Sequence, residues 1–302
     1  QYAIKRRMVD VPNARSSHRV ATPRGGGGAI VVATTVARAW SLWASGSMAL
    51  AGVLVGGLVV AGIGFVDDHH PVPASIRLVG HTLAAALAVL VLGVPGIAVA
   101  LLAVVFIAWL INLTNFMDGI DGIAGVQTLT VGASGAVLSQ MIVPGTGLWI
   151  EPAVLAAASI GFLIWNWPPA RVFMGDVGSG YVGFMVAVLT LRAASVSPVL
   201  GWCWLILSGV FIVDATFTLA RRTVRGDRLF QAHRSHAYQH LARTWGHRPV
   251  TLLVAAINVL WLMPVAVLVA LGHVSGATGV VLAYLPLTVG AARFGAGSVS
   301  QS

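Results

Sequence analysis

Residues 48–70 read MALAGVLVGGLVVAGIGFVDDHH, an apolar run that ends in two aspartates and two histidines. A helix of about 20 apolar residues is long enough to cross a bilayer. Comparable runs recur along the whole chain, which is 57% hydrophobic and 9% charged, whereas soluble domains carry about 25% charged residues. The sequence therefore predicts an all-α, polytopic integral membrane protein that forms a single domain over residues 1–302.

About ten membrane-spanning helices are predicted from these runs. Their approximate limits are residues 26–44, 48–66, 76–92, 97–113, 123–143, 153–168, 178–194, 199–220, 250–271 and 276–292. The connections alternate between short, nearly uncharged loops and loops that hold most polar residues. Of the 18 Lys and Arg residues, only Arg38 and Arg192 lie outside the second set. The charged side is predicted to be cytoplasmic, because cytoplasmic loops carry the excess of Lys and Arg.

The net charge of +9 would suggest a nucleic-acid partner in a soluble protein. Here the positive residues flank predicted spans, so membrane topology accounts for most of them. We expect anionic lipid headgroups and phosphorylated substrates as partners, and no nucleic acid.

Acidic residues number nine in 302, and Glu151 alone falls on the side opposite the charged loops. A carboxylate at the centre of a bilayer costs about 2.5–3.5 kcal/mol, so we expect the retained acids to be paired, hydrated or functional. Their polar segments converge on one membrane face. A site built from them would lie at headgroup level, where a water-soluble substrate and a lipid headgroup can meet.

Asp67 and Asp68 end the second predicted span. Two adjacent carboxylates favour a bound cation or a raised pKa in one of them, and a helix C-terminus disfavours anions. This placement indicates a functional pair, and a solvated helix end is the alternative.

Asn112, Asn115, Asp118 and Asp121 recur every three residues. On a helix, neighbours at this spacing share a face. Amides and carboxylates together suit a nucleobase, a sugar or a hydrated metal ion. For Asp121 an alternative is an N-terminal cap for the span that starts near Ile123.

The segment FMGDVGSG, residues 173–180, places Asp176 at the start of the seventh predicted span. Its glycines allow close backbone approach, and a helix N-terminus offers N–H groups to a phosphate. Asp176 is expected to be a metal ligand, an N-cap or both. Oxygen ligands favour Mg²⁺ or Mn²⁺ over Zn²⁺.

His233, His236 and His240 lie in HRSHAYQHL, in a loop that also contains several arginines. Spacing of i, i+3 and i+7 predicts that they share one helical face. A phosphate clamp fits this composition better than a zinc site, and a basic loop on anionic lipid is the alternative.

Three further polar features carry weaker expectations. Gly25–Gly28 lacks the Gly-Lys-Ser/Thr of a phosphate-binding loop and is interpreted as a flexible approach to the first span. Arg38 and His81 carry no predicted role. Asp214 is an intramembrane acid and hence a functional candidate, unless Arg221 reaches back to it.

The motifs DVPNARSSH, TPRGGGG, GFVDDHH, NLTNFMDGIDG and NWPPARVFMGDVGSG, followed by a histidine-containing basic loop, occur in this order. From about Asp10 to His240 the chain resembles the polyprenyl-phosphate N-acetylhexosamine-1-phosphate transferases, glycosyltransferase family 4, whose superfamily includes the phospho-MurNAc-pentapeptide translocase. The opening motif looks like the branch that initiates O-antigen and related surface polysaccharides. The resemblance implies ten or eleven transmembrane helices, one of them upstream of residue 1, in the bacterial inner membrane with a cytoplasmic-facing cleft.

The resemblance also implies an activity: transfer of a sugar 1-phosphate from a UDP-sugar to undecaprenyl phosphate, with release of UMP and a requirement for Mg²⁺. Asp176 resembles the metal ligand. Asp67 and Asp68 resemble the pair that engages the lipid phosphate or the metal, and His233 and His236 resemble the diphosphate-contacting histidines. Here the histidines are spread as HxxH…H, unlike the tightly adjacent histidines of the family.

The remaining residues implied by the resemblance bind substrate. The candidates are Asn115, Asp118 and Asp121 on the nucleotide side, Asn166 and Phe173 around the uracil, and Arg24 and Arg77. Expected partners are a UDP-N-acetyl sugar and the lipid bilayer with its polyprenyl phosphate, and a homodimer is one assembly to test.

Direct in-line attack of the lipid phosphate on the β-phosphorus is the favoured mechanism, and a covalent Asp intermediate is the less favoured variant. A proton- or ion-coupled transporter is the alternative function, because intramembrane acids and histidines often bind ions. The crowding of polar residues on one side favours the enzyme.

Overall fold

The computed structural model describes residues 9–10, 21–227 and 234–298. Two short strands, β1 (Val9–Asp10) and β2 (Thr22–Pro23), pair antiparallel, and the other regular elements of the described ranges are helical. The helices are α1 (Gly28–Ser45), α2 (Met48–His69), α3 (Ala74–Val91), α4 (Ile97–Met117), α5 (Ile123–Ile142), α6 (Ile150–Asn166), α7 (Asp176–Val196), α8 (Pro198–Leu207), α9 (Gly209–Val224), α10 (Ala237–Trp245), α11 (His247–Ile257), a π-helical turn (Asn258–Leu262), α12 (Met263–Ala270) and α13 (Gly276–Arg293).

The described helices confirm a polytopic, all-α membrane protein. Four of them, α2, α3, α4 and α7, are each long and apolar enough to cross a membrane, as is the segment from α11 to α12. The bent pair of α8 and α9 adds a sixth span if it crosses as one, and α1 and α6 are shorter apolar helices. The ends of the helices agree with the predicted spans to within about one helical turn.

The predicted span 199–220 is not one helix, because it breaks at Ser208. Helix α8 ends at Leu207, α9 begins at Gly209, and the two are bent by 66°. The apolar run is continuous across the break, so hydropathy alone gives no sign of it.

Helix α7 is the most deeply buried of the candidate spans and begins at Asp176. Glycines let its neighbours approach its backbone. A Cβ at Gly183 would lie 2.8 Å from the Cα of Ile111 on α4, and a Cβ at Gly64 of α2 would lie 2.5 Å from the backbone nitrogen of Val177. Real side chains do not fit at such distances, so small residues are required where α2 and α4 cross α7. This packing brings the acids of residues 67–68 and 118–121 towards the start of α7.

Three charged residues lie far from that end of α7. Glu151, at the start of α6, accepts a hydrogen bond from Arg38 of α1 at 2.6 Å and another from Arg192 of α7. Arg192 follows Asp176 by 16 residues, which is about 24 Å along the helix. The three charged residues that lie off the predicted cytoplasmic side therefore form one cluster. Arg38 has a structural partner in Glu151 that the sequence does not reveal.

Candidate active site

The glycine segment, residues 22–28, pairs with the chain that leads into α7. Phe173 N–H donates to Pro23 O at 2.8 Å, Gly26 N–H to Phe173 O at 2.8 Å, and Gly27 N–H to Met174 O at 2.9 Å. Gly27 also lies against the Cα of Gly178, where a Cβ would not fit. The prediction of a flexible approach is therefore wrong, because these glycines serve close backbone packing.

Asp68 caps the start of α7 from a different helix. Its two carboxylate oxygens accept from the N–H groups of Asp176 at 2.9 Å and Val177 at 3.1 Å. The N-cap residue of α7 is Gly175, whose φ of 74° and contact with the Asp68 carboxylate exclude a side chain. The prediction that Asp176 caps its own helix is wrong, and its carboxylate is left to other partners.

One guanidinium joins two of the predicted site carboxylates. Nη1 of Arg77, in the first turn of α3, donates to Asp67 at 2.5 Å and to Asp176 at 2.8 Å. The other Asp67 oxygen accepts from Val72 N–H at 2.6 Å. Carboxylates from α2 and α7 therefore converge on a single cationic position.

Asp118 adds a further carboxyl group beside Asp176. Helix α4 ends at Met117, and Asp118 is the residue that follows. Burial raises the pKa of Asp118 well above its ordinary value, the Asp176 carboxylate raises it further, and the Arg24 guanidinium opposes both. These neighbours form a crowded group of carboxyls that favours a bound proton or a cation among them.

The prediction of a helical register of three is wrong beyond Asn115, because α4 ends before Asp118 and Asp121. Asn115 itself donates to Ser179 Oγ at 3.1 Å and so contacts α7. Asn112 donates to Ala108 O of its own helix.

Asp121 connects three segments. Its carboxylate accepts from Ala170 N–H at 3.0 Å and lies 3.2 Å from His247 Nδ1, while its carbonyl accepts from Thr251 Oγ1 at 2.8 Å. The N-cap of α5 is Gly122, and no side chain caps it, so the capping interpretation of Asp121 is wrong. Sequence reasoning does not find His247, since its partner lies 126 positions away.

Asn166 and Phe173 shape the same region through backbone contacts. Asn166 Oδ1 accepts from Gly122 N–H at 2.9 Å, and its Nδ2 donates to Val172 O at 2.8 Å. The side chain is 3% exposed. Phe173 is partly buried in the segment that pairs with Pro23. Their contact with a nucleobase stays a prediction.

Asp214 caps α10 in the way that Asp68 caps α7. Its oxygens accept from Ala237 N–H and Tyr238 N–H, each at 3.0 Å. The Tyr238 hydroxyl donates to Phe116 O at 2.9 Å, which places α10 against the end of α4. The alternative that Arg221 reaches back to Asp214 is wrong, because the described bond of Arg221 goes to Ala296 O.

His236 is the N-cap residue of α10, is 1% exposed and has Nδ1 3.4 Å from Asp214. The prediction that the histidines share one helical face is wrong for His236, because the helix starts after it, and His240 lies within the helix. His233 lies outside the described residues.

The arginines at the end of α9 are engaged within the protein. Arg222 and Arg225 pair with Asp227, and Arg225 also donates to Gly297 O at 2.6 Å. With the contact of Arg221 to Ala296, they hold the chain that follows α13. These contacts do not support a phosphate clamp formed by this arginine set.

A metal site at this end of the bundle depends on few protein ligands. Within the described ranges, no group of three or more His, Cys, Asp and Glu residues is placed to hold a metal ion. Asp67 and Asp176 nevertheless converge on one cationic position, and Mg²⁺ is commonly held by one or two carboxylates together with water and substrate phosphates. The residues therefore fit Mg²⁺ and lack the closed ligand set of a structural zinc site.

These features define a polytopic membrane protein with carboxylates and arginines gathered at the start of its central helix. The chain belongs to glycosyl transferase family 4, whose model matches residues 50–194, and the family predicted from the motifs is thereby confirmed.

Three bacterial relatives illustrate the similarity. A "Probable undecaprenyl-phosphate N-acetylglucosaminyl 1-phosphate transferase" of Bacillus subtilis (strain 168) is 26% identical over 285 residues, covering 88% of this chain and 78% of that protein. A "Decaprenyl-phosphate N-acetylglucosaminephosphotransferase" of Mycobacterium tuberculosis (strain ATCC 25618 / H37Rv) is 30% identical over 291 residues, covering 82% and 72%. A "Phospho-N-acetylmuramoyl-pentapeptide-transferase" of Synechococcus elongatus is 37% identical over 96 residues, covering 29% and 24%.

Proposed function

We propose that this protein transfers N-acetylglucosamine 1-phosphate from a UDP-sugar to a polyprenyl phosphate, with release of UMP. The observation that carries the proposal is the convergence of Asp67 and Asp176 on Arg77 at the start of the central helix. The names of the two relatives that match most of the chain support N-acetylglucosamine as the sugar and a polyprenyl phosphate as the lipid. Initiation of a surface polysaccharide such as O-antigen is the pathway that we propose for the product.

The reaction is an in-line displacement at the β-phosphorus of the donor. A phosphate oxygen of the lipid forms the new P–O bond as the bond to UMP breaks, and UMP leaves with the electron pair. A phosphate is already a nucleophile, so the protein mainly positions the reactants and neutralises their charge. No covalent intermediate on Asp67 or Asp68 is required.

The chain's own residues divide this work. Asp176 and Asp67 would hold Mg²⁺, which supplies charge neutralisation on the diphosphate when bound. Arg77 and Arg24 bring positive charge to the same end of the bundle, where it can hold phosphate groups. Asp68 keeps the start of α7 in place through two N–H contacts.

The site is proposed to face the cytoplasm of the bacterial inner membrane, in a family fold of ten or eleven spans. Support comes from the distribution of Lys and Arg, since cytoplasmic loops carry their excess. A cytoplasmic site would give UDP-sugars access from water and polyprenyl phosphate access from the inner leaflet.

A purified-protein assay tests the proposed function. The protein is incubated with undecaprenyl phosphate, Mg²⁺ and, in separate reactions, UDP-N-acetylglucosamine and other UDP-N-acetyl sugars. We expect UMP and a lipid-linked sugar diphosphate in equal amounts, with UDP-N-acetylglucosamine the best donor. Preference for another donor would overturn the sugar assignment alone.

Asp176→Asn tests the site in the same assay. The change keeps the side-chain shape and removes the charge, so we expect loss of UMP release. Asp227→Asn, at a partly exposed carboxylate that pairs with Arg222 and Arg225 away from the acids of the site, is the matched control and should retain activity. Near-normal turnover by Asp176→Asn would overturn the site, and solute flux without UMP release in vesicles would favour a transporter.

A further inference from the structure

A cavity lies inside the bundle beside the break between α8 and α9. Residues of α4, α5, α7 and α9 line it, together with Ser208 at the break itself. Its position is separate from the candidate active site, because its described lining includes none of the acids and arginines of that site. Those residues are Asp67, Asp68, Asp118, Asp176, Arg24 and Arg77. It is large enough for an ordered water molecule.

The break places the polar residue Ser208 in the lining of this cavity. The first N–H groups of a helix have no partner within the helix, and within a membrane each such group needs one. The N-cap residue of α9 is Ser208, whose side chain makes no capping bond. Ser208 is 5% exposed, and its Oγ has no hydrogen-bond partner among the described residues.

Gln127 supplies a second polar group. Its Oε1 accepts from Asn258 Nδ2 at 2.8 Å. Nε2 is then the donor that remains for the cavity, which Gln127 lines. The residue is only 6% exposed, so bulk solvent does not serve it.

Two threonines complete the lining with acceptors. Thr114 Oγ1 donates to Leu110 O at 2.8 Å, and Thr128 Oγ1 donates to Ala124 O at 2.7 Å. Each hydroxyl proton is therefore used, and each oxygen keeps lone pairs for a further contact.

Donors and acceptors in one small cavity define the ligand. Among the described residues that line the cavity, there is no carboxylate to attract a cation and no positive side chain to attract an anion. An alkyl chain would leave the donors unpaired at a cost typical of buried polar groups. Water accepts from an amide N–H or a hydroxyl and donates to threonine oxygens, and buried waters commonly make about three such bonds.

We propose that this cavity is a water-binding site that completes the hydrogen bonding of the broken span. The bound water would fix the start of α9 relative to α4 and α5. It would thereby help to set the direction of α9, which carries Asp214 and, through it, the start of α10.

The first test is a structure of the wild-type protein in lipid nanodiscs, at a resolution where buried waters are visible. We expect a discrete peak within hydrogen-bonding distance of Ser208 Oγ and Gln127 Nε2. Continuous density for an acyl chain, or no peak while other buried waters are resolved, would overturn the proposal.

The second test uses the sign of a stability change. If Ser208 Oγ has no ligand, Ser208→Ala removes an unsatisfied buried hydroxyl and should leave the thermal midpoint equal or higher. If it binds water, the midpoint should fall. Ser139→Ala is the matched control, because Ser139 is also buried but donates to Gly135 O at 2.7 Å. We expect a comparable decrease in the thermal midpoint for both variants. An unchanged or higher midpoint for Ser208→Ala would overturn the water site.

Discussion

Arg77 balances the charge of the candidate active site. Asp67, Asp68, Asp118 and Asp176 come from three different segments, and their mutual repulsion would be large without cations between them. The guanidinium of Arg77 contacts two of them, Asp67 and Asp176, directly. Its position in the sequence, ten residues after Asp67, gives no indication that it also contacts Asp176.

Arg77→Met should therefore impair catalysis strongly. The change removes two charge-assisted hydrogen bonds, each typically contributing about 1.5–3 kcal/mol, and one such contribution corresponds to roughly a ten- to hundredfold change in rate. We expect at least this loss in UMP release. Arg293→Met, in the last turn of α13, is an exposed control that should retain activity, and equal rates for both variants would contradict the role of Arg77.

The adjacent acids Asp67 and Asp68 should respond differently to removal of their charge. Asp68→Asn replaces one acceptor of a backbone N–H by an amide donor, so we expect a loss of about 1–3 kcal/mol in stability. Asp67 is less buried and faces Arg77, so Asp67→Asn should lower activity more than stability. The thermal midpoints of the two variants, measured in the absence of substrate, test whether Asp68→Asn loses more stability. A larger decrease for Asp67→Asn would contradict this prediction.

At the scale of elements, two helices are capped at their N-termini by an aspartate from another helix. Asp68 of α2 accepts from the first N–H groups of α7, and Asp214 of α9 accepts from those of α10. Helix N-termini carry partial positive charge, so a carboxylate there satisfies donors and stabilises the dipole. Both acids are therefore used structurally at positions where a membrane chain rarely keeps a charge.

Asp214→Ala should loosen α10. Loss of the cap leaves two buried N–H groups unpaired, and we expect faster hydrogen–deuterium exchange across residues 237–245, with a loss of about 1–2 kcal/mol in local stability. Because α10 places Tyr238 against the end of α4, UMP release should fall as well. The control is Asp227→Asn; exchange in α10 that is unchanged in Asp214→Ala would show that the cap contributes little.

Part of the helical architecture can be predicted from the sequence, and part of it cannot. The limits of most helices are predictable, because apolar runs and polar breaks set them. The break at Ser208 is not, since the residues on both sides of it are apolar. The partners of Asp68 and Asp214 are not predictable either, because they are backbone groups 108 and 23 positions away.

The candidate site is predictable to a similar degree. Motif spacing identifies Asp67, Asp118 and Asp176 as members of one cluster, because each lies at a polar break on the same side. Their separate contacts depend on tertiary packing, since Arg77 of α3 meets Asp67 of α2 and Asp176 of α7 only in the folded bundle. The contact of His247 with Asp121 is an example that the sequence does not predict, because a single histidine at the start of a helix gives no indication of its partner.

At the scale of the whole molecule, three helices meet at two separate places along the bundle. Helix α1 follows the glycine segment, α6 ends at Asn166, and α7 begins at Asp176, all at the candidate active site. Far along the same helices, Glu151 joins Arg38 and Arg192. This cluster therefore fixes the relative positions of the helices that carry part of the site.

Glu151→Gln should destabilise the fold by leaving two arginines without their carboxylate. Breaking a fully buried pair costs about 3–5 kcal/mol; Glu151 and Arg192 are partly exposed, so solvent screening reduces the expected loss to about 1–3 kcal/mol. The triple variant Arg38→Met, Glu151→Met, Arg192→Met removes all three charges and should regain most of the thermal midpoint, because apolar replacements of a buried cluster are often neutral. A triple variant no more stable than Glu151→Gln would show that the cluster stabilises the bundle through its attraction and not merely by avoiding unpaired charge.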